Sequence, residues 1–362
     1  GDGCGLLIKF PETFMREIGA EYGYNLTNRF AVGTVFLSQN KARADAVREQ
    51  VNSAVKAHDL EVAGWREVPI RRDACGTLAR RTVPRIEQIF VNAPSGMQRG
   101  TFNQKLFLTR RRAEMQFAGI DDKAYIASLS SETLSYKGMV MPDVLPEFYE
   151  DLRDTRLESS VCLFHQRFST NTLPQWHLAQ PFRFLAHNGE INTIQGNRNW
   201  AIARADNFCS EKLYDLSDLN PIISLTDSDS ASLDNMLEVM RAAGMDTLQA
   251  MRILIPPAWQ AQDTLDADTR AFYEFFDCQI EPWDGPAGIV LTDGRYAACC
   301  LDRNGLRPAR YVVTEDQHIM IASEIGVYNY APSEVVEKGR LQPGEMIAVD
   351  LRKGKLLRNE DI

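Results

Sequence analysis

Two apolar runs, Ala287–Leu291 and Tyr296–Leu301, flank the dipeptide Asp293-Gly294. Asp-Gly between strand-length apolar runs favours a turn with positive φ, which sends the chain straight back as an antiparallel hairpin. The same tightness recurs along the chain. Ala124–Ser130 and Thr133–Lys137 are joined by a short Ser-Glu link that reads as a second hairpin. Arg310–Val313, His318–Ala322, Glu345–Asp350 and the turn at Lys353-Gly354 continue the pattern. A parallel pair needs a crossover of roughly a dozen residues or more. Links this short therefore predict sheets that are mostly antiparallel.

Helical periodicity fills the space between strands. Leu6–Phe10 reads as a strand and Pro11–Gly19 as a short helix with Phe14, Met15 and Ile18 inward. Phe30–Leu37 is a continuous apolar, β-rich run. Asn40 is placed to cap a helix through His58 whose Ala44, Val47, Val51 and Val55 recur at helical steps. Leu60–Pro69 and Arg85–Val91 read as strands. Thr101–Gln116 reads as a helix buried on Phe102, Leu106 and Met115, and Val140–Leu152 as a Pro-punctuated helix. Later helices are expected at Asn197–Phe208, Ser230–Ala243 (Leu233, Leu237 and Met240 in phase), Thr247–Ile255 and Asp266–Cys278. No internal repeat, low-complexity tract or linker stands out. The whole reads as an α+β layered fold, residues 1–362 forming one domain.

Charge and cysteine usage exclude several function classes. A net charge of -9 and a pI of about 5.2 argue against a broad nucleic-acid footprint, and the run Arg110–Arg112 reads as a solvated helix face. Seven cysteines, Cys4, Cys75, Cys162, Cys209, Cys278, Cys299 and Cys300, are scattered without a C-x-x-C pair. That spacing suits neither a zinc ribbon, an iron–sulfur cluster nor a disulfide framework, and fits a reducing cytoplasm. No apolar run approaches the ~20 residues of a membrane span, and no secretory leader is visible. His165, His177 and His187 share no metal-ligand spacing, and no phosphate-cradling glycine motif is present.

The stretch His165–Trp200 concentrates the chemistry. Val161–Phe164 reads as a strand running into Arg167, and Phe182–Ala186 as one leading into Asn188. Ser169, Thr170, Asn171, His187 and Glu190 add polar groups, while Gly189 and Gly196 mark places where backbone comes close to something. Arg167 offers a planar fork of donors for a carboxylate, or else half of a buried ion pair. Asn188-Gly189 offers a side-chain amide and an unobstructed backbone N–H for an oxyanion, or else a plain Asn-Gly turn. In Thr226–Asn235, Asp229 could hold an ammonium group, or Asp229 or Ser230 could cap the following helix. Together Arg167, Asn188-Gly189 and Asp229 describe a substrate with an α-carboxylate, an α-ammonium and a carbonyl that becomes an oxyanion. That is an amino acid undergoing acyl transfer.

At these residues the chain resembles a known family. GDGCGLLIKFP at the start, GWREVPI at Gly64–Ile70, LSSETLSYKGM at Leu129–Met139, RFSTNTLPQW, LAQPFRFLAHNGEINTIQGNRNW, DGPAGIVLTDGR, LDRNGLRPARY and KGRLQPGEM occur in the order found in the class II glutamine amidotransferase domain of glutamate synthase large chains. The wider class shares R-x-x-T, H-N-G and an S-D-S-like element, matched by Arg167–Thr170, His187–Gly189 and Ser228–Ser230.

The resemblance implies an N-terminal-nucleophile fold, a four-layer αββα sandwich. It implies that Arg167, with Thr170 nearby, binds the α-carboxylate of L-glutamine and that Asp229 binds its α-ammonium, Asp227 being the alternative if the acidic motif is offset. It implies an oxyanion hole made of the Asn188 amide and the Gly189 N–H. The family's nucleophile is an N-terminal cysteine whose own α-amine is the base. It is expected upstream of Gly1, so the chain reads as N-terminally truncated and silent on its own. Cys4, which lacks a free α-amine, reads as a decoy, and the remaining cysteines as core. No metal or cofactor is expected in this segment. The parent is expected to carry FMN and an iron–sulfur cluster in downstream synthase domains of the same polypeptide. A small electron-donating subunit or ferredoxin is its expected partner. A glutamine-binding regulatory module without a nucleophile, or another class II amidotransferase, are the alternatives.

Overall fold

The structure, a computed structural model, describes residues 3–168, 173–205, 208, 210–213 and 219–362. These fall into two compact units, residues 1–184 with 208–221 and residues 185–207 with 222–362, where one continuous domain was expected.

In the first unit, every residue of Phe30–Leu37 (β2) is buried, as a strand covered on both faces requires. It lies inside a four-stranded antiparallel sheet of order β3-β4-β2-β5, with β3 Glu61–Glu67, β4 Arg85–Asn92 and β5 Tyr125–Ser130. Side chains alternate along a strand, so β2 divides its residues between two cores. Ala31, Val35 and Leu37 meet Val47, Val51, Phe102 and Leu106 of the helices α2 (Lys41–Ala57) and α4 (Arg99–Phe117). Phe30, Val32 and Phe36 pack instead with Cys4, Ile8, Leu134 and Tyr136, which belong to a second sheet. That sheet has the order β6-β1-β7, with β1 Cys4–Lys9, β6 Thr133–Gly138 and β7 Cys162–His165. Three shorter helices complete the unit: α1 Glu12–Glu21, α3 Thr77–Arg80 and α5 Leu145–Phe148.

Several expectations meet a correction here. Asn40 does cap α2, accepting from the Arg43 N–H at 3.1 Å. The link between β5 and β6, however, is not a hairpin. β5 pairs with β2 and β6 with β1, so the chain changes sheets at Ser130–Thr133. Ser130 Oγ accepts from the Glu132 and Thr133 N–H groups, which satisfies the turn without any ladder between its arms. Arg110 is buried rather than solvated and pairs with Glu114, while Arg111 donates to the Leu219 and Pro221 carbonyls. Met115 is 47% exposed, because Ala113 and Phe117 hold the inward positions of α4. Val140–Leu152 is not one helix. Pro142 and Pro146 confine regular structure to α5 and a 3-10 turn at Glu150–Arg153.

The second unit contains a five-stranded antiparallel sheet of order β15-β14-β10-β9-β8, from β8 Leu185–Gly189, β9 Ala287–Thr292, β10 Tyr296–Leu301, β14 Met346–Asp350 and β15 Lys355–Leu357. The β9–β10 hairpin forms as expected across Asp293-Gly294, with Gly294 at φ +80°. A three-stranded sheet of β11 (Arg310–Thr314), β12 (Ile319–Ala322) and β13 (Val335–Arg340) packs Tyr311, Ile319 and Ile321 against Cys299, Leu301 and Ile347. The helices are α6 Ile194–Ala203, α7 Asp229–Ala242, α8 Thr247–Leu254 and α9 Ala267–Asp277. The expected α+β class with antiparallel sheets is what both units show.

Candidate functional site

The second unit's site is built on β8, which pairs with β9 alone among the described strands. Asn188 and Gly189 stand in register opposite Gly288 and Ala287, so the dipeptide ends a strand and is not a turn. Gly189 has φ +152°, and a Cβ there would lie 1.7 Å from the Pro286 carbonyl oxygen. Gly285 has φ +150°, and a Cβ there would lie 2.0 Å from the Glu190 carbonyl oxygen. The Glu190 N–H donates to that same Pro286 oxygen at 2.8 Å. Only glycine at both positions lets the two backbones come this close. Asn188 thereby sits half-buried at the strand's end.

Helix α7 fixes the acidic side of the site. Its cap is Ser228, which accepts from the Ala231 N–H at 3.2 Å, so neither Asp229 nor Ser230 is the capping residue. Asp229 occupies the first helical position, where the helix dipole favours a carboxylate. Its Oδ2 accepts from the Ile191 N–H at 2.7 Å. Two more bonds tie β8 to the same helix: Leu185 N–H to Asp234 Oδ1 at 3.1 Å, and His187 Nδ1 with Ser230 Oγ at 2.9 Å. Asn188-Gly189 and Asp229 are thus held together by bonds on either side of the dipeptide. His187 Nδ1 also approaches Asp229 Oδ2, at 3.8 Å. Burial pushes the imidazole below its ordinary value, so at neutral pH this contact is not an ion pair. Arg198 donates to the Asp227 carbonyl and to Ser232 Oγ, bracing the segment before α7. Gly285, Arg198 and the Ile191 N–H escaped the sequence reading. Only Gly285 carried a signal, as the glycine of Asp284-Gly285 before an apolar run. By contrast, Gly196 lies in α6 with open space around it, so it marks no close approach.

Arg167 belongs to the first unit, two residues beyond β7. It is exposed, and no hydrogen-bond or ion-pair partner holds it among the described residues, which removes the buried ion pair as its role. Thr170 lies outside the described residues, as do Ser169 and Asn171. Cys4 is buried in the core of the first unit. Burial pushes the Cys75 thiol up to about 11 and the Cys300 thiol to about 12, and raises Cys299 further. Cys162 and Cys278 are exposed, against the expectation that they are core, and Cys209 lies outside the described residues. Among the described residues no group of three or more His, Cys, Asp or Glu side chains could hold a metal ion, so an iron–sulfur cluster does not fit them. No helix among them is long and apolar enough to cross a membrane.

Comparison with known proteins adds the lineage. The chain is 40% identical over 364 residues to the large chain of an NADPH glutamate synthase from Bacillus subtilis, covering 100% of this chain and 24% of that protein. It is 43% identical over 367 residues to the corresponding Azospirillum brasilense protein, with 100% and 24% covered. It is 41% identical over 373 residues to a ferredoxin-dependent glutamate synthase from Synechocystis, again with 100% and 24% covered. The chain spans about a quarter of the length of these curated relatives. The model of the class-II glutamine amidotransferases matches residues 1–362, and to that family the chain belongs.

Proposed function

We propose that this chain is the glutaminase part, acting as a single domain, of a glutamate synthase large chain. It would bind L-glutamine and release its amide nitrogen as ammonia for glutamate synthesis from 2-oxoglutarate elsewhere in the polypeptide. The observation that carries the reading is the pairing of Asn188-Gly189 with Asp229 through the Ile191 and His187 bonds. Asp229 keeps acceptor capacity beyond the Ile191 N–H, since a carboxylate offers about four lone-pair sites, and so can receive an α-ammonium. Asn188 and the Gly189 N–H would donate to the amide oxygen as it gains charge in the tetrahedral intermediate. Arg167, exposed and unpaired, would meet the α-carboxylate with its two parallel N–H groups, with Thr170 beside it.

We assign the attacking thiolate to no cysteine described here. Cys4 faces a closed core, and Cys75, Cys299 and Cys300 have thiols that burial makes hard to ionise. An N-terminal cysteine, with its α-amine as base, remains the nucleophile of this proposal. FMN and an iron–sulfur cluster are assigned to synthase domains outside this segment, and electrons to ferredoxin or a small partner subunit. Relatives named for NADPH and for ferredoxin match about equally. A reducing compartment such as the cytoplasm suits cysteines that form no disulfide.

Calorimetric titration with L-glutamine tests the reading. Binding should weaken at least about tenfold in Asp229→Asn, the loss of a charge-assisted bond being worth about 1.5–3 kcal/mol. An Asp229→Asn protein that binds as well as the wild type would refute the assignment.

A further inference from the structure

Three glycines and a buried lysine of the β6-β1-β7 sheet each make room for the same stretch of chain. Gly3 and Gly5 stand two residues apart and so address one side of β1. A Cβ on Gly3 would lie 2.1 Å from the Phe168 ring, and one on Gly5 would lie 2.8 Å from the Gln180 carbonyl oxygen. Lys137, in β6, is in register with Gly5 and is buried. Its Nζ donates to the His177 carbonyl at 2.8 Å and lies 5.0 Å and 4.9 Å from the ring centroids of Tyr125 and Phe182. On the opposite face, a Cβ on Gly138 would lie 2.4 Å from the Trp176 ring. Phe168 marks where the chain leaves the sheet, and Trp176–Gln180 where it returns across the β6 edge.

The residue at the point of departure is Arg167. Its side chain is exposed, so its place is set through the backbone by its neighbour Phe168, which is buried with Leu178, Ala179 and Met139. Without a β-carbon at Gly3, the Phe168 ring rests directly on the β1 backbone. Lys137 secures the other end with a charge-assisted bond to a carbonyl and two aromatic faces. A misplacement of about 1 Å in a substrate-holding group can lower activity by roughly 10²-fold, so small displacements of Phe168 matter.

We propose that Gly3, Gly5 and Lys137 are positioning residues that seat the segment behind Arg167 and thereby aim its guanidinium at the substrate's α-carboxylate. The proposal rests on the reading of Arg167 as the carboxylate binder. It explains why a glycine-rich start precedes an apolar strand: the glycines are contact surface for a binding segment.

The test compares L-glutamine with L-glutaminamide, whose α-carboxylate is a neutral carboxamide, by calorimetry on the full polypeptide. Gly3→Ala should lower the preference for L-glutamine by about tenfold or more. Adding Phe168→Leu, which vacates the space the new methyl needs, should restore most of it. Lys137→Met, which keeps the stem and loses the bond to His177, should lower the preference in the same way and serves if Gly3→Ala fails to fold. Variants that weaken both ligands equally, or neither, overturn the proposal. A wild type without the preference, or an Arg167→Ala variant that retains it, overturns the Arg167 reading and the proposal with it. Arg167→Ala distinguishes these two failures.

Discussion

A methyl group on Gly189 would have to occupy space 1.7 Å from the Pro286 oxygen at a φ of +152°, whereas one on Gly196 would meet nothing within 4 Å. The two substitutions should therefore act in opposite directions. Gly189→Ala should destabilise by about 2 kcal/mol or more through strain and collision. Gly196→Ala should stabilise by about 0.5–1 kcal/mol through helix propensity. Urea midpoints measured on both variants check the pair. His187 gives a second residue-scale expectation. Its folded imidazole resists protonation because it is buried, while the unfolded one takes a proton near 6.5. Stability should then fall as pH drops below 6.5, and the His187 contribution to that slope should vanish in His187→Gln. An unchanged pH slope in the variant would rule the residue out as its source. The close approach at Gly189 was legible because Asn-Gly followed a strand-like run. Gly196 misled, because a glycine letter is the same in a helix as in a contact. The Ile191 N–H was invisible, since backbone donors carry no side-chain signature.

Elements were legible where a local rule decides them, and illegible where a distant partner does. Asn40 capping α2 and the Asp293-Gly294 hairpin follow from adjacent residues. The β5–β6 link failed because two short apolar runs can pair with each other or with strands elsewhere, and periodicity does not say which. Here β2 and β1 provide the partners, and Ser130 holds the link. Ser130→Ala should cost about 1 kcal/mol, the usual net worth of a turn bond, measured as a shift in unfolding midpoint. At α7 the cap and the ligand group are separate residues. Ser228→Ala should cost about 1 kcal/mol of stability and leave glutamine affinity within twofold, the mirror image of Asp229→Asn. If Ser228→Ala abolished binding instead, helix integrity and not the Asp229 carboxylate would be what the site needs.

At the scale of the whole molecule, the first unit carries a polar row through its core. Arg66, Gln88, Thr34 and Ser128 are cross-strand neighbours spanning β3, β4, β2 and β5, and all are buried. Arg66 is 2% exposed and pairs with Asp151, 4% exposed, which also accepts from the Tyr136 hydroxyl at 2.8 Å. Burial raises that phenol well above its ordinary value, so it stays a donor. Removing one partner of such a pair strands a charge, so Asp151→Ala should cost about 3–5 kcal/mol in chemical denaturation. The α+β class and antiparallel sheets were readable from link lengths alone. The division into two units was not, because no composition shift or linker marks Phe184 or Pro221. The central claim is chemical, and a crystal structure of the protein with L-glutamine bound tests it most directly. The account predicts the ligand's ammonium on the Asp229 carboxylate, its amide oxygen on the Asn188 amide and the Gly189 N–H, and its carboxylate on Arg167. Glutamine bound elsewhere, or at this site in the reverse orientation, would contradict it.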